Sequence, residues 1–121
     1  MNENSNSKQY DLEERTLQFA KDVRTFVRKL PKIIGNREDG IQLINSSGST
    51  GANYIEANDS LSKKDFIMRI KICRKEAKES RFWLNLIELN GSIDLQKERK
   101  RLLQEATELM NIFAAIFRKS Q

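Results

Sequence analysis

The chain has 121 residues, 38% apolar and 32% charged, enough for one core and a solvated surface but too short for two ordinary domains. A single cysteine, Cys73, excludes a disulfide framework, the lack of histidine excludes histidine acid–base chemistry, and one proline with five glycines favours long helices. The formal net charge of +5 is unevenly placed, because residues 60–81 hold 8 Lys/Arg against 3 Asp/Glu, an excess equal to that of the whole chain.

Residues 1–9 read as a disordered polar leader and residues 10–121 as the folded unit. Met1–Lys8 has none of the apolar character of an export signal, so a cytoplasmic location is expected. Asp11 with Glu14 three residues on makes a capping box. Leu12, Thr16, Phe19, Ala20, Val23, Phe26, Val27 and Leu30 then recur at helical spacing, one face of an amphipathic helix over 11–30 that Pro31 stops. Asn36 can cap a second helix, with Glu38 and Asp39 suited to its positive end. Ile41, Ile44, Gly48, Gly51, Ala52 and Ile55 would share its core face. Asn45 to Gly51 nonetheless has the composition of a loop, and periodicity alone leaves the segment open.

Ser62 and Asp65 form another capping pair, followed by Phe66, Ile70, Cys73, Ala77, Ser80, Leu84 and Ile87 in steps of four and three. Asn90-Gly91 is a natural C-terminal stop. Asp94 caps a last helix whose core face is Leu95, Leu102, Ala106, Leu109, Met110, Phe113, Ile116 and Phe117. The longest apolar run, Ile112 to Phe117, is far too short to cross a bilayer, so no membrane span is expected. Short connections between these helices predict an all-α fold, an antiparallel up-down four-helix bundle.

No catalytic, metal or cofactor site is expected. The Glu-x-x-His pairs of a di-metal bundle are absent, and Cys73 falls on a core face. Gly48-Ser49-Thr50-Gly51 matches the GXXG of KH domains literally, but that loop belongs beside a sheet and no strand is predicted. The same glycines lack the GK[ST] ending of a phosphate loop.

The third helix is the informative element. A turn of about 100° per residue gathers Lys64, Lys71, Arg74, Lys75, Lys78 and Arg81 into a basic stripe flanking its core face. Met68, Ile72, Trp83 and Leu86 fall on the remaining side, with Glu76 and Glu79. A second apolar stripe is more than a monomeric bundle needs, so these four are candidates for a subunit contact. The basic stripe, repeated around an oligomer, would suit the phosphate backbone of RNA or DNA.

The run Gln42-Leu43-Ile44-Asn45-Ser46-Ser47-Gly48-Ser49-Thr50-Gly51-Ala52-Asn53-Tyr54-Ile55-Glu56-Ala57, with Lys75 to Glu79 and Trp83-Leu84, resembles the signature of a bacterial family. The family comprises the four-helix-bundle proteins encoded by 23S rRNA intervening sequences, to which the accessory proteins of diversity-generating retroelements are related. The resemblance covers about residues 10–117 and resolves the second segment as helix. It implies a ring-like pentamer without enzymatic activity, and in the related branch a basic pentamer that binds nucleic acid. The chain departs from the pattern at Asn45, where the family usually has arginine. The leading expectation is therefore a non-enzymatic homo-oligomer that binds RNA or DNA and acts on no small-molecule substrate. The alternative is a protein-binding adaptor or scaffold whose basic residues serve solubility.

Overall fold

The computed structural model describes residues 3–121, with side chains from residue 11 onward. Four helices follow in order, α1 (Glu3–Arg28), α2 (Ile34–Asn58), α3 (Lys63–Leu86) and α4 (Ile93–Ser120). Each packs against two others, so the order around the bundle is α1, α2, α3, α4. Cross-helix partners set the directions. Position 51 meets Thr16 and position 40 meets Val27; Ser46 bonds Ser80 and Asn53 bonds Arg69. Leu84 bonds Arg99 and Arg81 bonds Met110; Arg15 bonds Glu105 and Lys29 bonds Glu98. Residue numbers rise on one helix as they fall on its neighbour in every pair, so all four seams are antiparallel.

The core is built from the faces predicted for α1, α3 and α4. Phe19, Val23, Phe26, Ile70, Leu84, Leu109 and Phe113 are fully buried, each contributing about 1.5–3 kcal/mol by leaving water. Cys73 and Ala77 complete the inner face of α3, and Tyr54 packs tilted on Phe113 with ring centroids 5.8 Å apart.

The boundaries differ from expectation for identifiable reasons. The expected leader falls partly on Met1 and Asn2, which lie outside the described residues, and partly on backbone that continues α1. Asp11 therefore sits inside α1 and not at its cap. Asn36 is not a cap either. It is buried in the first turn of α2, donates from Nδ2 to Glu88 O at 2.8 Å and to Pro31 O at 3.1 Å, and accepts from Glu88 N at 2.9 Å. One side-chain amide thus mimics a backbone pair and ties the α3–α4 connection to the start of α2. Ser62 caps α3 as expected, by accepting from Asp65 N at 3.1 Å. Ser92, two residues before Asp94, caps α4 by accepting from Leu95 N at 3.2 Å. α3 ends at Leu86, ahead of the predicted stop, and Arg99 closes its end by donating to Ile87 O at 2.8 Å. Asn90 and Gly91, at φ of 51° and 78°, make the left-handed turn that follows.

α2 is helical through the loop-like stretch, but on a different face. Ile41, Ala52 and Ile55 are exposed, whereas Leu43, Ser46, Ser47, Thr50, Tyr54 and Ala57 are buried. The buried hydroxyls are satisfied within the helix or across it. Thr50 donates to Ser46 O at 2.9 Å, Ser47 to Ile44 O at 3.2 Å, and Ser46 shares a 2.9 Å bond with Ser80. Small hydroxyl residues can therefore occupy a core face, which an apolar periodicity cannot register. Of the three small residues expected on the core face, only Gly51 makes a close helix contact. A Cβ there would stand 2.8 Å from Thr16 Oγ1 and 3.1 Å from Thr16 Cβ, while a Cβ at Gly48 would meet nothing within 4 Å.

These two glycines give opposite expectations. Thr16 is held by its own bond to Glu13 O at 3.0 Å and cannot easily withdraw. Gly51→Ala should therefore destabilise the bundle by about 1–3 kcal/mol through overpacking. Gly48→Ala should stabilise it by up to about 1 kcal/mol through helix propensity alone. Urea unfolding of both variants checks the contrast, and equal effects at the two positions would refute the close α1–α2 contact.

Candidate nucleic-acid interface

Placing Ile70, Cys73 and Ala77 in the core turns the intervening residues of α3 outward along its seam with α4. Lys71, Arg74, Lys75 and Lys78 there line a groove of about 470 Å³ together with Met68, Ile72 and Phe117 from the last turn of α4. Lys71 Nζ lies 5.6 Å from the centroid of the Phe117 ring, a cation–π contact that steadies one side chain of the set. Arg118 and Lys119 follow Phe117 in the same last turn of α4. Among the described residues the ion pairs are made by Arg15 and Lys29, on α1 and just after it, so none neutralises the groove. The run from Lys71 to Lys78 covers about 10 Å of helix axis, a length comparable with the three spacings between four phosphates of one duplex strand.

The structure thus brings four of the six basic candidates together. Lys64 is exposed in the first turn of α3 and lies outside the groove lining. Arg81 is half-buried against α4, donating from Nη1 to Met110 Sδ at 4.0 Å, with its Nε buried and unpaired. Asn45 is exposed on α2, which takes no part in the groove.

The four apolar candidates do not form one patch. Met68 and Ile72 belong to the groove itself. Leu86 lies 18 residues further along the same helix, about 27 Å away. Trp83 is half-buried and packs against the core, with Phe82 edge-on at 5.0 Å between centroids. The exposed aromatic beside Leu86 is Phe82, 58% exposed and one turn before it. Sequence reasoning passed over Phe82, although the spacing of 82 and 86 was the available signal. Phe117 was read purely as core, and its half-buried place under Lys71 depends on where α4 ends relative to α3.

The rest of the charge is distributed differently. Along the α1–α4 seam, Asp11, Glu14, Asp22, Glu105 and Glu108 outnumber Arg15 and Arg101. Hydrogen bonds to Glu105 at 2.8 Å and Glu108 at 2.7 Å hold the Arg15 guanidinium still more firmly protonated. Bonds from Gln104 and then Arg15 pull the Glu108 carboxyl below its usual range. On α3, burial and then the neighbouring Glu79 push Glu76 above its usual range. Among the described residues no three His, Cys, Asp or Glu side chains gather to hold a metal ion, and no helix is long and apolar enough to cross a membrane.

The family model described as 23S rRNA-intervening sequence protein matches residues 8–115. A crystal structure of a protein of unknown function from the S23 ribosomal protein family of Bacteroides thetaiotaomicron is similar over most of the chain. It shares a TM-score of 0.76 and 25% identity, covering 92% of this chain and 98% of that one. No curated protein matches the chain.

Cys73 offers a direct check on the core that presents the groove. Burial pushes its thiol from 9.0 up to about 12. The folded protein should be inert to a thiol reagent at pH 8 and react only after denaturation. Above pH 9 the unfolded thiol ionises while the folded one stays protonated, so the unfolded state binds fewer protons and stability falls as pH rises. Replacing Cys73 with alanine should remove that component of the alkaline decline in urea-unfolding stability. Rapid labelling of the native protein would place the residue outside the core.

Proposed function

The chain belongs to the 23S rRNA-intervening sequence protein family, and from that premise we propose that it is a non-enzymatic, self-associating protein that holds the backbone of RNA or DNA against α3. The observation that carries this reading is the open groove lined by Lys71, Arg74, Lys75 and Lys78, with no carboxylate lining it. Cations left unpaired in this way gain most by meeting phosphates, because each contact releases a condensed counterion. The groove reads no bases. Its one aromatic, Phe117, is half-buried against the core with Lys71 over its ring, a poor platform for stacking.

Self-association is supported by the outer face of α3, where Phe82, Leu86 and Met68 are 58%, 48% and 49% exposed. Two of them, Phe82 and Leu86, lie one turn apart and form the proposed contact. A ring of five subunits is what the family resemblance implies, and the kinship with retroelement accessory proteins that the same resemblance implies would make nucleic acid the partner. A cytoplasmic bacterial setting fits both.

Changing Lys71, Lys75 and Lys78 to glutamate should abolish binding to mixed-sequence RNA or DNA while leaving the helical circular dichroism intact. For wild type, log affinity should fall linearly with log salt, with a slope of about −3 on single strands if four phosphates are engaged. An absence of salt-sensitive binding near physiological ionic strength would transfer the reading to a protein-binding adaptor. Separately, light scattering should give a mass well above the 14.1 kDa of one chain. Phe82→Glu combined with Leu86→Glu should return the protein to monomer. Trp83 is the wrong position for that test, because its packing on the core would confound assembly with stability.

A further inference from the structure

On the opposite edge of the bundle, the end of α1 and the start of α2 enclose a second groove, of about 580 Å³. Val27, Leu30 and Ile44 form its recessed floor and are buried or half-buried. Ile33, Ile34 and Ile41 stand around it at 36%, 83% and 48% exposure. Every charged residue in its lining is basic, namely Arg28, Lys32 and Arg37. None of the three is in an ion pair among the described residues. α2 also begins here, with no side-chain cap on Ile33 and no acidic residue in its first turn. The first backbone N–H groups of a helix have no intrahelical acceptor, so this end carries positive potential as well as free donors.

We propose that this groove docks an acidic, amphipathic segment of a partner protein. Its apolar side chains would cover Ile34 and Ile41, which are seven residues and about 10 Å apart, the spacing of anchors on two turns of an incoming helix. Its carboxylates would meet Arg28, Lys32 and Arg37, and one would cap the start of α2. The charge of the rim selects this occupant. A second copy would bring its exposed Phe82 and Leu86 with both Lys78 and Glu79 on the same face of α3, a mixed charge that does not complement a wholly basic lining. A bilayer surface would leave the recessed floor and the helix N–H groups unfilled. The site is independent of the α3–α4 groove, since the two lie on opposite edges, and it extends the proposed function by a protein partner that could be held at the same time as a nucleic acid.

The test uses the full-length protein as bait for a displayed library of random peptides about 16 residues long, or four to five helical turns. Enriched peptides should combine Leu, Ile or Phe at helical spacing with an acidic excess. Their synthetic forms should lose about tenfold or more in affinity when Arg28, Lys32 and Arg37 are changed to glutamate, and again when salt is raised. The reversed rim should instead select basic peptides. In amide NMR spectra of the unaltered protein, binding should shift Gly35 and Ile41, a readout that needs no variant. Ile34→Asp with Ile41→Asp should abolish binding without unfolding the bundle, because both side chains are exposed. Peptides without charge bias, or no binders at all, would overturn the proposal. So would sedimentation with phosphatidylserine vesicles that depends on Ile34 and Ile41, which would make the face a membrane contact. A drop in light-scattering mass in the Ile34→Asp, Ile41→Asp variant would overturn it in favour of a contact between copies.

Discussion

The close approach of α1 and α2 at Gly51 and Thr16 is the constraint from which the rest of the bundle follows. α2 is an expensive helix. Its four glycines cost about 4 kcal/mol relative to alanine, and its serines and threonine add to that. What offsets the cost is packing that larger residues could not achieve. The missing side chain at Gly51 lets Thr16 in, while Ser46, Ser47 and Thr50 fill core positions with hydroxyls whose hydrogen bonds are already made. α2 can then serve α1 on one flank and α3 on the other without a large apolar residue at every turn. Leu43, Tyr54 and Ala57 supply the apolar contact that remains.

This explains where the sequence was readable and where it was not. α1, α3 and α4 carry apolar side chains at regular spacing, so periodicity located both the helices and their inner faces. α2 buries hydroxyls and glycines, which no hydrophobic pattern marks, and so its face was misplaced even though family resemblance identified it as helix. Asn36 shows a second limit. An asparagine ahead of a helical pattern reads naturally as a cap, whereas its amide here pairs with the backbone of Glu88, 52 residues away. Nothing local to either residue signals such a tie. The basic stripe was legible because all six of its members lie on one helix, but its groove was not, since that requires knowing that Phe117 reaches α3.

α3 and α4 also divide the molecule electrostatically. Along the α1–α4 seam the carboxylates are in excess and hold Arg15 between Glu105 and Glu108. Across α4, the α3 seam has cations with no acids to match. The net charge of +5 is thus not a uniform coat that merely aids solubility. A chain that leaves one seam acidic and the next basic presents opposite characters on the two sides of a single helix, which favours directional contacts over random association.

The two departures from local consistency in this chain therefore have different meanings. Loop-like composition in α2 looks like a conflict with the fold, yet the structure resolves it: each buried hydroxyl is bonded, and the closest approach to α1 needs the glycine at 51. The cation excess of α3 is not resolved in this way. Lys71, Arg74, Lys75 and Lys78 repel one another across successive turns, gain no ion pair among the described residues, and surround a groove they do not fill. Stability alone would favour a glutamate somewhere in that set, as it does beside Arg15. A conflict that the folded chain leaves standing is most simply relieved by something outside the chain. An anionic backbone, the partner we propose, would match in charge and repeat what α3 leaves unpaired.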